Sequence, residues 1–349
     1  MKSLFKWRVA ALAAAGAAVM APAHADLTLT ADGMSLGFTL SNFATVVPGN
    51  SGCCSGPFGV AMDTTGGLNT VIVSAGVGTR YTFNDMDGQT TATALTSTPS
   101  SSSTSAYATA GGLAYGGDGS GRFVQFNKDG SVNHALTGVG ASPYLGMWGN
   151  PVNGHIIATS SSGLIDIDPL ANGGAGSFRV INGAFGDGVS VSPDGKTAYL
   201  ETGGGFTAYD IATGAVVASY SDALLSTVDG SGVIASSNSL NGDIVANNNN
   251  GTIVLIDPDA GPGGTATYTL IATGGTRGDY TSPDVTNGSL FLDTSDIVYR
   301  LSCGTGCGIG TTNGIPEPSS LALAAVALTG AAFGLRRRRS MVSTGVAAA

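Results

Sequence analysis

The sequence predicts an all-β body, a single β-propeller of about six blades, on three observations. Acid usage is the first: of the 23 acidic residues 21 are Asp, and only Glu201 and Glu317 are Glu. Helices favour Glu over Asp, whereas turns favour Asp. Glycine is the second, with 55 residues alongside abundant Thr, Ser, Val and Asn, the composition of many short strands joined by turns. The third is an internal repeat of roughly 40–50 residues with several strands per unit, the mark of a propeller blade.

Three units of the repeat align best. They cover residues 147–159 with 163–169, residues 188–200 with 206–214, and residues 241–247 with 251–258. A weaker fourth covers 285–292 with 296–300. Each reads as a strand, an Asn-Gly or Asp-Gly hairpin, a strand, a second Gly-containing turn and a third strand. Tight hairpins need positive φ at their central positions, which is why Gly recurs there. The hairpin glycines Gly154, Gly195, Gly242 and Gly288 are 41, 47 and 46 positions apart. Upstream, residues 59–63 lead through Gly66-Gly67 to 70–74, and residues 112–115 lead to 122–126 and the Asp129-Gly130 turn. These make two further blades, and a seventh would follow if residues 27–47 supplied strands of their own. A β-helix would want a shorter repeat and a β-sandwich none. The polar stretch 90–109 reads as a long loop between blades. Through Ser192-Pro193-Asp194-Gly195 and Tyr209-Asp210-Ile211-Ala212-Thr213-Gly214, the units resemble the blades of NHL- and YVTN-type propellers.

The two ends of the chain read as addresses. Lys2, Lys6 and Arg8, an apolar run over residues 9–21 and the small residues Ala23 and Ala25 describe a secretory signal peptide over 1–25, cut to leave Asp26 first. The run is too short for a comfortable membrane span. At the other end come Pro316-Glu317-Pro318, an apolar stretch over 321–335, and Arg336, Arg337, Arg338 and Arg339. Four arginines resist translocation, which would leave them cytoplasmic and the body periplasmic. Residues 314–339, with those parts in that order, resemble the PEP-CTERM sorting domain. The resemblance implies recognition by an exosortase, a membrane protease that cuts near Pro-Glu-Pro, and delivery to the cell surface or extracellular matrix. The ten residues 340–349 after the arginines depart from the usual pattern of such tails. The expected organisation is signal peptide 1–25, propeller 26–302, Cys/Gly-rich linker 303–315, sorting helix 316–339 and short tail 340–349.

Removing both ends leaves seven basic residues against 23 acids, so the body carries about −16 rather than −9. That charge excludes nucleic acid and anionic lipid as partners, since both require basic surface. The expected partners are signal peptidase, the exosortase and a surface polysaccharide or protein. Cys53-Cys54 and Cys303-x-x-x-Cys307 reach an oxidising compartment, which favours disulfides over zinc at these spacings. A disulfide joining the two pairs would close the ring.

No nucleophile motif is present, and the body holds only His134 and His155. Asp166-Ile167-Asp168 and Asp257-Pro258-Asp259 recur in two blades and offer the hard oxygens calcium takes, with Asp85-Met86-Asp87-Gly88 a third such unit. Alternation puts Asp166 and Asp168 on one strand face. The expected function is therefore a non-enzymatic binding or structural module. The alternative is a lactonase- or lyase-like propeller enzyme. Propeller lactonases resemble one another in an acidic and amide cage around a divalent cation, for which Glu201 and Asn247, Asn248, Asn249 and Asn250 are this chain's candidates. The plain expectation for Glu201 is a solvated strand end, and for the asparagines a polar turn.

Overall fold

The computed structural model describes residues 26–48, 56–76, 78–100, 106–140 and 142–303. Six sheets form the body, antiparallel except where the two-residue strand Gln89–Thr90 pairs parallel with Thr39–Thr45 at the edge of the sixth, and each is counted here from its innermost strand outward. Blade one comprises Gly59–Asp63, Thr70–Ser74, Thr79–Asn84 and Thr96–Pro99; blade two Tyr107–Ala110, Leu113–Gly117, Phe123–Phe126 and Val132–Ala135. Blade three comprises Met147–Gly149, Ile156–Ser160, Gly163–Asp168 and Ser177–Asn182; blade four Val189–Val191, Thr197–Glu201, Gly205–Asp210 and Val216–Ser221. Blade five comprises Val228–Val233, Ile244–Asn248, Ile253–Gly261 and Thr265–Thr273; blade six opens with Thr281–Pro283, Leu290–Asp293 and Ile297–Ser302. Successive innermost strands are neighbours, and that of blade one touches blades two and six, so the ring closes.

Residues 27–47 do not build a seventh blade. Strand β1 (Thr28–Leu29) lies antiparallel along the outer edge of blade five, Thr28 facing Thr273. A one-turn helix, α1 (Ala31–Ser35), follows, its first turn capped by the Thr30 hydroxyl, which accepts the Gly33 N–H at 3.0 Å. Strand β2 (Thr39–Thr45) then supplies the fourth strand of blade six, with Thr39 opposite Ser302 and Thr45 opposite Ile297. The ring is thus fastened by hydrogen bonds between the two ends of the body. Phe43 drives the seating: it is fully buried, its ring 4.8 Å from that of Phe291 in blade six and 6.2 Å from that of Phe83 in blade one.

The hairpin glycines behave as their spacing requires. Gly154, Gly195, Gly242 and Gly288 have φ of +73°, +71°, +94° and +78°. The stretch 90–109 is more than a loop: Thr96–Pro99 is the outermost strand of blade one, and Tyr107–Ala110 the innermost of blade two. An outermost strand is solvated on much of its surface, so polar residues serve it well.

The segments expected to be signal peptide, sorting helix and tail, and Cys53, Cys54 and Cys307, lie outside the described residues. Among the described residues no helix is long and apolar enough to cross a membrane. Cys303 is buried, one residue past the end of blade six.

Candidate functional site at the two channel mouths

Antiparallel blades give the channel two unlike mouths. Turns between first and second strands gather at one; entries to the first strands, with the turns between second and third, gather at the other.

The first mouth opens into a cavity of about 570 Å³. Val191, Val233, Pro193 and Pro283 give it apolar walls, while Thr64 and Asn150 stand among the polar groups at its rim. None of the lining residues is ionisable. The rim is held by side chains that fold back on their own turns. Asn150 Oδ1 accepts the Val152 N–H at 3.0 Å, Asp63 Oδ1 the Thr65 N–H at 2.9 Å, and Asp284 Oδ1 the Thr286 N–H at 3.0 Å. Asn150 Nδ2 also donates to the Gly195 carbonyl at 2.9 Å, tying blade three to blade four.

The second mouth is narrow and acidic. Thr159, Glu201, Asn247 and Asp293 occupy matching places near the ends of the second strands of blades three to six. Most of them hold the entry to a first strand. Thr159 Oγ1 accepts the Gly146 N–H at 2.8 Å, Glu201 Oε2 the Gly188 N–H at 3.1 Å, and Asp293 Oδ1 the N–H groups of Asp279 and Tyr280 at 2.8 and 2.9 Å. Asn247 Nδ2 instead reaches the next blade, donating to Asp293 Oδ1 at 3.1 Å and to the Tyr280 carbonyl at 3.1 Å.

Burial pushes Glu201 up to about 8, with the charges of Asp229 and Asp187 adding to it and the Ser231 hydroxyl and Gly188 N–H opposing. Burial likewise carries Asp279 to about 8 against the pull of Arg277, and Asp187 to about 6 with help from Asp229. Asp293 is raised by burial and by the Asp279 charge, although its N–H donors favour the ionised form. The cation among these acids is Arg277, which pairs with Asp279 and lies 3.3 Å from Asp229 Oδ2. Beside this group, Asp279, Ser231, Gly146, Gly188 and Tyr280 line a space of about 20 Å³, room for one water or one ion. Among the described residues no group of three or more His, Cys, Asp or Glu is placed to hold a metal ion.

The residues singled out in the sequence fall in several places. Asp166 and Asp168 do share a face, but Asp166 already meets His155 Nδ1 and Arg179 Nη2, each at 2.9 Å. Asp168 Oδ1 accepts the Leu170 N–H at 2.9 Å, and Asp257 Oδ1 the Asp259 N–H at 3.1 Å, while Asp259 is exposed. Asp257 faces a second acid, Asp243, which burial and the Asp257 charge push to about 7. Asp85 and Asp87 are taken by Arg300 at 2.7 and 2.8 Å. His134 Nε2 lies 3.1 Å from the Gly174 carbonyl. Glu201 is not a solvated strand end but 2 % exposed, and Asn247 and Asn248 are buried strand residues rather than turn. Asp293 escaped notice in the sequence. Extending each aligned second strand would have shown Thr159, Glu201, Asn247 and Asp293 at spacings of 42, 46 and 46.

Fold and mouths together define a six-bladed β-propeller. Residues 314–339 match the family model of the PEP-CTERM protein-sorting motif, which marks an exported chain sorted to the cell surface through exosortase processing. No curated protein matches the chain. Among solved structures it is similar to a gluconolactonase of Xanthomonas campestris at 16 % identity and a TM-score of 0.52, over 79 % of this chain and 94 % of that one. It is also similar to a WD40 domain from Neurospora crassa at 11 % identity and a TM-score of 0.47, over 75 % of this chain and 94 % of that one. At 16 % identity the likeness to the gluconolactonase is one of fold.

Proposed function

We propose that this protein is a surface-delivered binding module whose ligand, a neutral stretch of polysaccharide or protein, enters the wide mouth of the propeller. One observation carries the reading: the 570 Å³ cavity has apolar walls and polar rim groups but no ionisable lining residue. Such a cavity can select and hold a neutral ligand, but it supplies no general acid, base or nucleophile. Delivery follows from the ends. Signal peptidase would cut after Ala25, just ahead of the buried Leu27 and of β1. Residues 319–335 would hold the body on the periplasmic side until the exosortase cuts near Pro316-Glu317-Pro318.

Trp148 lines the cavity, and Trp7, in the signal peptide, is the only other tryptophan. Emission from Trp148 in the mature protein should therefore change saturably when neutral surface glycans or peptides are titrated in. Filling the mouth with Val285→Trp should block that binding, followed by calorimetry. Failure of every neutral glycan and peptide to bind would overturn the reading.

A second reading, a propeller hydrolase with a divalent cation, is favoured by Glu201, Asn247 and Asp293 converging from three blades at the narrow mouth. As arranged, the neighbouring acids Asp229 and Asp279 are paired with the Arg277 guanidinium, while Glu201 and Asp293 accept backbone N–H groups and Asn247 donates to Asp293. Lactone turnover that depends on added calcium, magnesium or zinc and disappears in Glu201→Gln would establish this second reading.

A further inference from the structure

Between blades one and two, a buried arginine has no acid beside it. Arg80, on the third strand of blade one, is 2 % exposed. Among the described residues no carboxylate lies within ion-pair distance of it, and its Nε and Nη1 have no hydrogen-bond partner. Three buried hydroxyls lie with it: Thr82 Oγ1 is unpartnered, and Ser74 Oγ and Tyr107 Oη stand close to each other with no further partner.

These groups form one cluster. Arg80 faces Ser74 across the ladder, and Thr82 is two residues along, so all three side chains leave the same face of the sheet. The Arg80 guanidinium carbon lies 4.3 Å from the ring centroid of Phe126 and 5.9 Å from that of Tyr107, both in blade two. A Cβ placed on Gly130 would stand 2.9 Å from Thr82 Oγ1 and 3.6 Å from Arg80 Cδ, so that loop closes the cluster on one side. Burial keeps the Tyr107 phenol protonated and able to donate.

Ring faces offset part of the cost of burying a guanidinium, but they offer no acceptor to the N–H groups in its plane. Water could satisfy those donors yet would leave the positive charge unbalanced. We propose that this cluster is the binding site of one small monovalent anion, chloride in size and charge, which accepts from Arg80 Nε and Nη1 and from the hydroxyls of Ser74, Thr82 and Tyr107. A single charge matches the single guanidinium. The ion would bridge blades one and two.

The test uses the mature protein with chloride exchanged for gluconate at constant ionic strength. The melting temperature should rise by about 3 °C or more per hundredfold increase in chloride. Arg80→Leu should lose that dependence, and Thr82→Val should weaken it. Crystals soaked in bromide should show an anomalous peak in contact with Arg80, a result that stands even if Arg80→Leu does not fold. Equal melting in chloride and gluconate, together with no anomalous peak at Arg80, would overturn the proposal.

Discussion

Arg300 Nη2 lies 2.7 Å from Asp85 Oδ1, although the two residues are 215 positions apart in the chain. Arg300 belongs to the third strand of blade six and Asp85 to the connection between the third and fourth strands of blade one. The same guanidinium meets Asp87 at 2.8 Å, pairs with the buried Asp284, and packs 4.9 Å from the Phe291 ring and 5.2 Å from that of Phe43. Ser41 of β2 also donates to Asp87, at 2.6 Å. One side chain therefore gathers the first blade, the last blade and the strand that fastens them. Removing one partner of a buried ion pair leaves the others uncompensated. Arg300→Ala should cost about 3–5 kcal/mol in chemical denaturation, whereas Lys196→Ala, whose pair with Asp194 is exposed, should cost less than about 1 kcal/mol.

The acidic mouth makes stability depend on pH. Glu201 moves from 4.5 in the unfolded chain to about 8 in the folded one, and Asp279 from 3.8 to about 8. The folded state then holds more protons than the unfolded state between those values, so stability falls as pH rises from about 4 to about 8. Thermal melting across that range should show the decline. Glu201→Gln should flatten it and gain about 1–3 kcal/mol at pH 8.5 by removing a buried charge.

Gly195 tests the repeat itself. Its φ is +71°, and an added Cβ would stand 2.5 Å from Asn150 Oδ1. Gly195→Val should cost about 1–3 kcal/mol and loosen the rim of the wide mouth. At Gly183, where φ is not in the left-handed region and a Cβ meets nothing within 4 Å, Ala should be neutral. An unchanged melting temperature for Gly195→Val would contradict the role given to this turn.

Processing is read by intact mass. In a host with an exosortase, the surface form should begin at Asp26 and end near Pro316-Glu317-Pro318. Replacing Arg336, Arg337, Arg338 and Arg339 by Ser should impair sorting. Surface protein that still carries residues 321–339 would refute the cleavage.

The cysteines should pair locally. Thr45 and Thr39 face Ile297 and Ser302, so the ends of that strand are about 16 Å apart. A Cβ on Gly56 would stand 2.4 Å from the Ser295 carbonyl, which places Gly56 beyond the Ile297 end, while Cys303 follows the Ser302 end. Cys307 is only four positions along the chain from Cys303, and the ring, already fastened by β2, needs no disulfide to close. Non-reducing peptide mapping should recover Cys303 joined to Cys307; a peptide joining Cys303 to Cys53 or Cys54 would reverse this expectation.

Much of the fold was legible because turns are local. A tight hairpin demands particular residues at particular places, and Gly154, Gly195, Gly242 and Gly288 announced four blades. The fastening by β2 was not legible, since nothing local in Thr39–Thr45 says which distant strand it will join; Phe43 finds its place only between Phe83 and Phe291. The acidic mouth was half legible. Glu201 and Asn247 stood out as residue types, but their burial comes from neighbouring blades. Asp85-x-Asp87 misled for a related reason: hard oxygens attract a guanidinium as readily as calcium, and Arg300 reaches them from the far end of the body.

The pairing of β2 with Ile297–Ser302 also sets an order of events. Strand β2, near the front of the body, must wait for this last strand, which ends at Ser302, shortly before the sorting motif begins at residue 314. A chain cut short anywhere before that point has no partner for β2 and is an open arc with a raw sheet edge at each end, the kind of surface that proteases and aggregation find first. A closed ring is therefore one in which the chain is present at least as far as Ser302.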